Sequence, residues 1–225
     1  EAVAAARLSA SHNPEAFWAD IAGHYDWMKP WSNVCSAEFE TPSVRWFEGA
    51  ELNITANCLD RHLAVHGDQT AILWEPNDPA DSTVAITYAD LHDRVCRFAN
   101  VLKSRGVGKG DRVALYLPMV PELAVAVLAC ARIGAVHSVV FAGFSARSLA
   151  DRIQDAGAAC VITSDGMTRG AKGLALKAVV DEALAECPTV TTNLVVRHTG
   201  EDVQWNAVRD VWLHEALSAV PGDCP

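Results

Sequence analysis

From about Asn53 onward, short apolar runs alternate with longer amphipathic stretches. Asn53 to His66 reads as a helix. Thr70 to Trp74 and Val84 to Ile86 read as short strands on either side of the turn-rich Pro76-Asn77-Asp78-Pro79, the spacing of a hairpin. Thr87 caps a helix whose apolar stripe is Leu91, Val95, Phe98 and Leu102, and Gly106 and Gly108 end it. Arg112 to Leu117 is a strand, and Pro121 to Ile133 is an apolar helix that Gly134 stops. The pattern then predicts a strand over 136–141, a helix over 146–156 and a strand over 159–163. A helix at about 175–187, a strand at 193–197 and a helix near 211–219 follow. Strands alternating with helices of this length predict βαβ units. The fold class is therefore α/β, with a doubly wound, largely parallel sheet carrying helices on both faces. Neighbouring strand ends then share one edge, where such sheets bind ligands.

Residues 1 to about 50 follow a different pattern. Asn13-Pro14 reads as an N-cap with proline at the first helical position. Phe17, Trp18, Ile21 and Tyr25 recur at helical spacing, and Trp27, Trp31 and Trp46 punctuate a loop-rich stretch. These aromatics are read as packing groups of an aromatic-rich helical and loop extension, not as a ligand cage.

Composition narrows the function classes. Half of the 225 residues are hydrophobic and a fifth are charged, enough for a real core. A net charge of −10 argues against nonspecific nucleic-acid or anionic-membrane binding, which needs clustered Lys and Arg. Capture of a small phosphorylated ligand would have to rest on close contacts, since the overall field opposes it. Seven cysteines, an odd number without a CxxC pair, favour a reducing cytoplasm over a disulfide framework. No apolar run reaches membrane-spanning length, and the start, Glu1, has no signal-peptide layout.

Candidate chemistry concentrates between Val136 and Gly173. One apolar strand runs into Phe141-Ala142-Gly143-Phe144-Ser145, and a second runs into the glycine-bearing Ser164–Gly173. Both suit close approach of backbone to an anionic ligand. Arg169 and Lys172, three apart, are two cations that one local turn could aim at a phosphate. They could equally face water as a solvated loop. The predicted strand end, the neighbouring Ala142-Gly143 turn and the helix opening at Ser145 point toward a ligand. The glycine run lacks GxGxxG spacing, and no GxxxxGK[ST] loop occurs, so neither a dinucleotide site nor a complete Walker-type site is present. Cys58, His62 and His66 would share a helix face, but they read as structural, with Cys58 inward. Ser145 lacks the closing glycine of a nucleophile elbow and reads as an N-cap.

These residues also carry a resemblance. Trp46-Phe47-Glu48-Gly49 with Leu52-Asn53, then Asn57 to His62, resemble the entry segment of the AMP-forming acetyl-CoA synthetases. The likeness continues through Thr87 to Leu91, Gly108 to Val113, Leu117 to Glu122, Arg132 to Phe141 and Gly143-Phe144-Ser145. The blocks near Pro118 and Gly134 are similar to adenylate-forming enzymes broadly. The resemblance implies part of the large N-terminal domain of the adenylate-forming fold, with residues 1–65 an N-terminal extension and 66–225 the first part of the AMP-binding domain. It implies a two-step reaction in which acetate and ATP give acetyl-adenylate, and CoA then takes the acetyl group. ATP and Mg would be substrates and CoA the acceptor, with no covalently bound cofactor, no nucleic-acid partner and no membrane.

By resemblance, CoA's nucleotide end would meet Phe141, Ala142, Gly143, Arg169, Gly170, Ala171 and Lys172. Two residues depart from the family pattern. Ala142 replaces a glycine, which would strain a positive φ. Lys172 replaces an arginine, which keeps charge and loses bidentate geometry. The phosphate loop, the acid pocket and the catalytic lysine of the family are expected beyond Pro225, so the chain reads as an N-terminal fragment with no catalytic residue, inactive alone. A ligase for propionate or another short acid, and a stand-alone module for a phosphorylated ligand, are the alternatives.

Overall fold

The computed structural model describes residues 1–38, 40–170 and 172–225. Backbone contacts divide the chain into two compact units, Glu1–Arg61 and His62–Pro225.

In the first unit, α1 (Ala2–His12) buries no residue and ends at Asn13, whose side chain accepts from Ala16 N at 3.0 Å and so caps α2 (Pro14–Ala22). The expected cap and first-turn proline are both in place. The stretch read as loop contains an antiparallel hairpin, β1 (Asn33–Glu38) against β2 (Ser43–Glu48). Trp27, Trp31 and Phe47 pack ring to ring at 5.2–5.4 Å, and Trp18 meets Trp46 edge-on at 6.0 Å. The aromatics therefore pack against one another, as their apolar area demands.

The single helix expected over 53–66 is broken. α3 (Ile54–Cys58) stops at Leu59, whose φ of −124° and ψ of −66° leave the helical region. A tight 3-10 turn over Asp60–His62 and the one-turn α4 (Leu63–His66) follow. The periodicity of one face does not survive such a break, and Cys58 is exposed, not inward as expected.

In the second unit, β3 (Thr70–Trp74) and β4 (Val84–Thr87) form the predicted hairpin. Thr87 accepts from Asp90 N and caps α5 (Tyr88–Ser104), which buries Leu91, Val95, Phe98 and Leu102. The remaining elements are β5 (Arg112–Tyr116), α6 (Pro121–Arg132), β6 (Val136–Val139), α7 (Ala146–Ala156) and β7 (Cys160–Ser164). Then come β8 (Met167–Arg169), β9 (Lys172–Leu174), α8 (Leu176–Leu184), β10 (Thr192–Val196), β11 (Asp210–Trp212) and α9 (Leu213–Ser218). Sequence reading missed the three-residue strands β8, β9 and β11, which are too short to show a period.

β6-β5-β7-β10-β11 form a wholly parallel sheet in that order. Ala114, Tyr116 and Val161 pack with Leu149 and Ile153 of α7 and with Leu176 and Val180 of α8 on one face. The alternate residues Val113, Leu115 and Ile162 are equally buried and turn to the other face by the strand period of two. The fold is α/β and doubly wound. Chain order within the sheet reverses between β5 and β7, so the switch point lies at the carboxyl ends of those strands.

Candidate functional site

A groove of about 740 Å³ opens at this switch point. Leu117 to Val120 after β5, Val139 to Ala142 at the end of β6, and Met167 to Arg169 beyond β7 line it. The β3–β4 connection and His198, Thr199 and Glu201 close its other sides. Trp74 donates from Nε1 to the Met119 carbonyl at 2.7 Å, and Asn77 donates to Thr168 Oγ1 at 3.3 Å, so the hairpin loop is tied to two of the groove's walls.

The β6–α7 turn is held from below. Tyr116, at the end of β5, donates its hydroxyl to the Phe144 carbonyl at 2.7 Å, and burial pushes the phenol's pKa up. Ser145 Oγ accepts from Ser148 N and caps α7, which settles its role as an N-cap. Phe144 N donates to the Phe141 carbonyl, closing the turn. Ala142 does not adopt a positive φ, so the expected strain is absent and alanine is tolerated there. Gly143 has a different reason to lack a side chain. A Cβ there would meet Phe141 Cε1 at 2.5 Å, because the Phe141 ring folds over it. Phe141 itself is 60% exposed, an apolar face presented to the groove.

The Arg169/Lys172 segment is an antiparallel hairpin, not a simple turn. Arg169 and Lys172 face each other across its ladder, with Gly170 at φ +59°. Directly opposed residues of an antiparallel pair project to the same side, so the two cations are neighbours. Among the described residues neither has an ion-pair partner. Phe141, Ala142 and Arg169 line one groove, while Gly143, Gly170 and Lys172 sit beside it without lining it. Ala171 lies outside the described residues.

Sequence reading missed the residue that fixes this edge. Asp165, buried at the end of β7, accepts from Gly166 N, His198 N and Thr199 N at Oδ1 and from Gly200 N at Oδ2, all within 2.8–3.0 Å. Burial alone would raise its pKa. The N–H groups of Thr199, His198, Gly200 and Gly166 outweigh that and hold it below the ordinary carboxylate value. One anion thus ties the start of the cationic hairpin to the loop after β10. Thr199 Oγ1, buried beside Gly166, has no hydrogen-bond partner among the described residues.

A second buried network anchors the edge strand. Lys177 Nζ, wholly buried, reaches Asp181 and Asp210 at 2.7 Å, and Arg209 meets both acids at 2.6 and 3.0 Å. Asn193 and the Asn206 N–H complete the shell around Asp210. Burial raises its pKa, and Lys177, Asn206, Asn193 and Arg209 together bring it below normal. Among the described residues no group of three or more His, Cys, Asp and Glu is placed to hold a metal ion. Among the described residues no helix is long and apolar enough to cross a membrane.

A doubly wound sheet with a ligand-sized groove at its switch point defines a class of small-molecule-binding α/β proteins. Residues 59–223 match the AMP-binding enzyme family, and the chain belongs to it. Residues 4–58 match the acetyl-coenzyme A synthetase N-terminus family. Acetyl-coenzyme A synthetase 2 of Pseudomonas putida is 57% identical over 213 residues, covering 95% of this chain and 33% of that protein. The acetyl-coenzyme A synthetase of Halorhodospira halophila is 56% identical over 214 residues, with the same coverage. Among solved structures, acetoacetyl-CoA synthetase from Streptomyces lividans superimposes with a TM-score of 0.84 at 29% identity, over 96% of this chain and 32% of that one. The chain spans about a third of the length of the curated relatives it matches.

Proposed function

We propose that this chain is the N-terminal part of an AMP-forming acetate–CoA ligase and that its groove receives the nucleotide end of CoA. Residues 1–65 would be the synthetase-type extension, and 66–225 the opening portion of the AMP-binding domain. The whole enzyme would join acetate to CoA through acetyl-adenylate, with ATP accompanied by Mg as substrate, in the cytoplasm and without nucleic-acid or membrane partners.

The observation that carries this reading is the groove itself, which gathers Phe141, Ala142 and Arg169 at the switch point. Arg169 and its ladder neighbour Lys172 are uncommitted to any carboxylate among the described residues. Phe141 offers an apolar face for a base, and the two cations offer charge for a phosphate. The described residues bind and orient, and the reacting groups belong to the rest of the enzyme. Gly170 would contribute main chain beside the two cations.

The test is Arg169→Ala in the full-length polypeptide that carries this chain. Removing one charge-assisted contact to a phosphate corresponds to roughly a tenfold rise in the KM for CoA. The loss should fall on thioester formation. Equal loss in pyrophosphate exchange and thioester formation would mean that Arg169 supports folding and not CoA binding.

A further inference from the structure

The groove holds a feature that a simple anion site would not need. Glu201 lines it on the side of the cationic hairpin. Its Oε1 lies 3.9 Å from where a side chain on Gly173 would begin, one residue along the strand from Lys172. Among the described residues Glu201 has no cation or donor as a partner. The backbone leading into it is tied down, because His198, Thr199 and Gly200, just before it, all donate their N–H groups to buried Asp165. The same carboxylate holds Gly166 N, at the entry to the hairpin. An acid thus stands beside the cationic hairpin with no ion pair to Arg169 or Lys172 among the described residues.

We infer that Glu201 is a specificity-determining residue of the groove, its carboxylate opposing a phosphate handle that Arg169 and Lys172 attract. This rests on the CoA reading above. Charge opposition of this kind weakens binding of a phosphomonoester, which carries close to two negative charges at neutral pH, and leaves an uncharged handle untouched. Glu201 therefore sharpens how the site distinguishes ligands by their phosphate charge, and it stands nearer the hairpin's strand than Glu75, Asp78 and Asp81, which line the groove from the β3–β4 connection.

The experiment compares Glu201→Gln with the parent in the full-length polypeptide, using CoA and 3′-dephospho-CoA as acceptors. Glutamine keeps the shape and removes the charge. The expected result is a three- to tenfold lower KM for CoA, about the effect of one like charge removed at short range near a surface, with that for 3′-dephospho-CoA unmoved. The gain should shrink as salt is raised. An unchanged or higher KM for CoA, or an equal change for both acceptors, overturns the inference. Arg169→Ala run in parallel separates the two levels of the argument. If Arg169→Ala fails to discriminate between the two acceptors, the CoA reading itself falls. If it discriminates and Glu201→Gln does not, only the role of Glu201 is lost.

Discussion

Asp165→Asn tests whether one buried anion organises the ligand edge. In the parent, Oδ1 takes three backbone N–H groups and Oδ2 takes Gly200 N at 2.8 Å. Asparagine can keep its oxygen toward the first three, but its NH2 then faces the Gly200 N–H, and a buried donor loses its acceptor at a cost of about 1–3 kcal/mol. The three surviving bonds lose charge assistance, roughly 0.5–1 kcal/mol each, while a neutral amide is cheaper to bury than a carboxylate. The net loss is about 3 kcal/mol, or roughly 6–12 °C in Tm for a chain of this size. Urea unfolding at pH 7 measures it, and amide exchange at residues 198–200 localises it. The pH dependence has a definite sign. The folded pKa of Asp165 lies below its ordinary value of 3.8, so its contribution is complete above about pH 4 and disappears as pH falls through the folded value. Parent and variant should therefore converge in stability in acid. A variant within 0.5 kcal/mol of the parent at pH 7, or unchanged protection at Gly200, would refute the argument.

Lys177→Met should cost about 3–5 kcal/mol, because it leaves buried Asp210 with only Arg209 as a cationic partner. Adding Asp210→Asn should recover part of that in a double-mutant cycle, and strict additivity would show that the two side chains are not coupled. Thiol labelling of the folded chain at pH 8 should modify exposed Cys58 first and half-buried Cys35 more slowly. Cys130, whose thiol burial pushes up to about 12, and Cys160, shifted still further the same way, should react only after unfolding, and rapid native labelling of either would contradict the core described.

Elements with a period or a cap were legible in the chain. Asn13, Thr87 and Ser145 each bond to the backbone N–H groups expected of a helix cap, and Leu91, Val95, Phe98 and Leu102 are all buried on α5. These signals are local, so tertiary structure had little opportunity to override them. Elements of three residues were not legible, which hid the β8–β9 hairpin in a glycine-rich run. The break at Leu59 was hidden for the opposite reason: the helical spacing of Cys58, His62 and His66 is real in sequence, but the backbone between them leaves the helix. Phe141, Ala142 and Arg169 could be selected because strand ends were predictable. Asp165, Lys177 and Asp210 could not, since a charged residue in sequence is ordinarily read as solvated. A faint signal existed in Asp165-Gly166 closing an unbroken buried strand, and in Lys177 and Asp181 at helical spacing.

The two buried anions are satisfied without drawing on the cationic hairpin, in a chain whose net charge is −10. Asp210 is neutralised by Lys177 and Arg209, and Asp165 by four backbone N–H groups. Neither carboxylate competes for Arg169 or Lys172, which stay available on the groove's side of the sheet. Asp165 achieves this with dipoles in place of a positive side chain, so it imposes no cation of its own on the site. A lysine or arginine in place of those N–H groups would have added charge beside the hairpin. The charge presented at this edge therefore depends on how its buried acid is satisfied, and not only on the residues that line the groove.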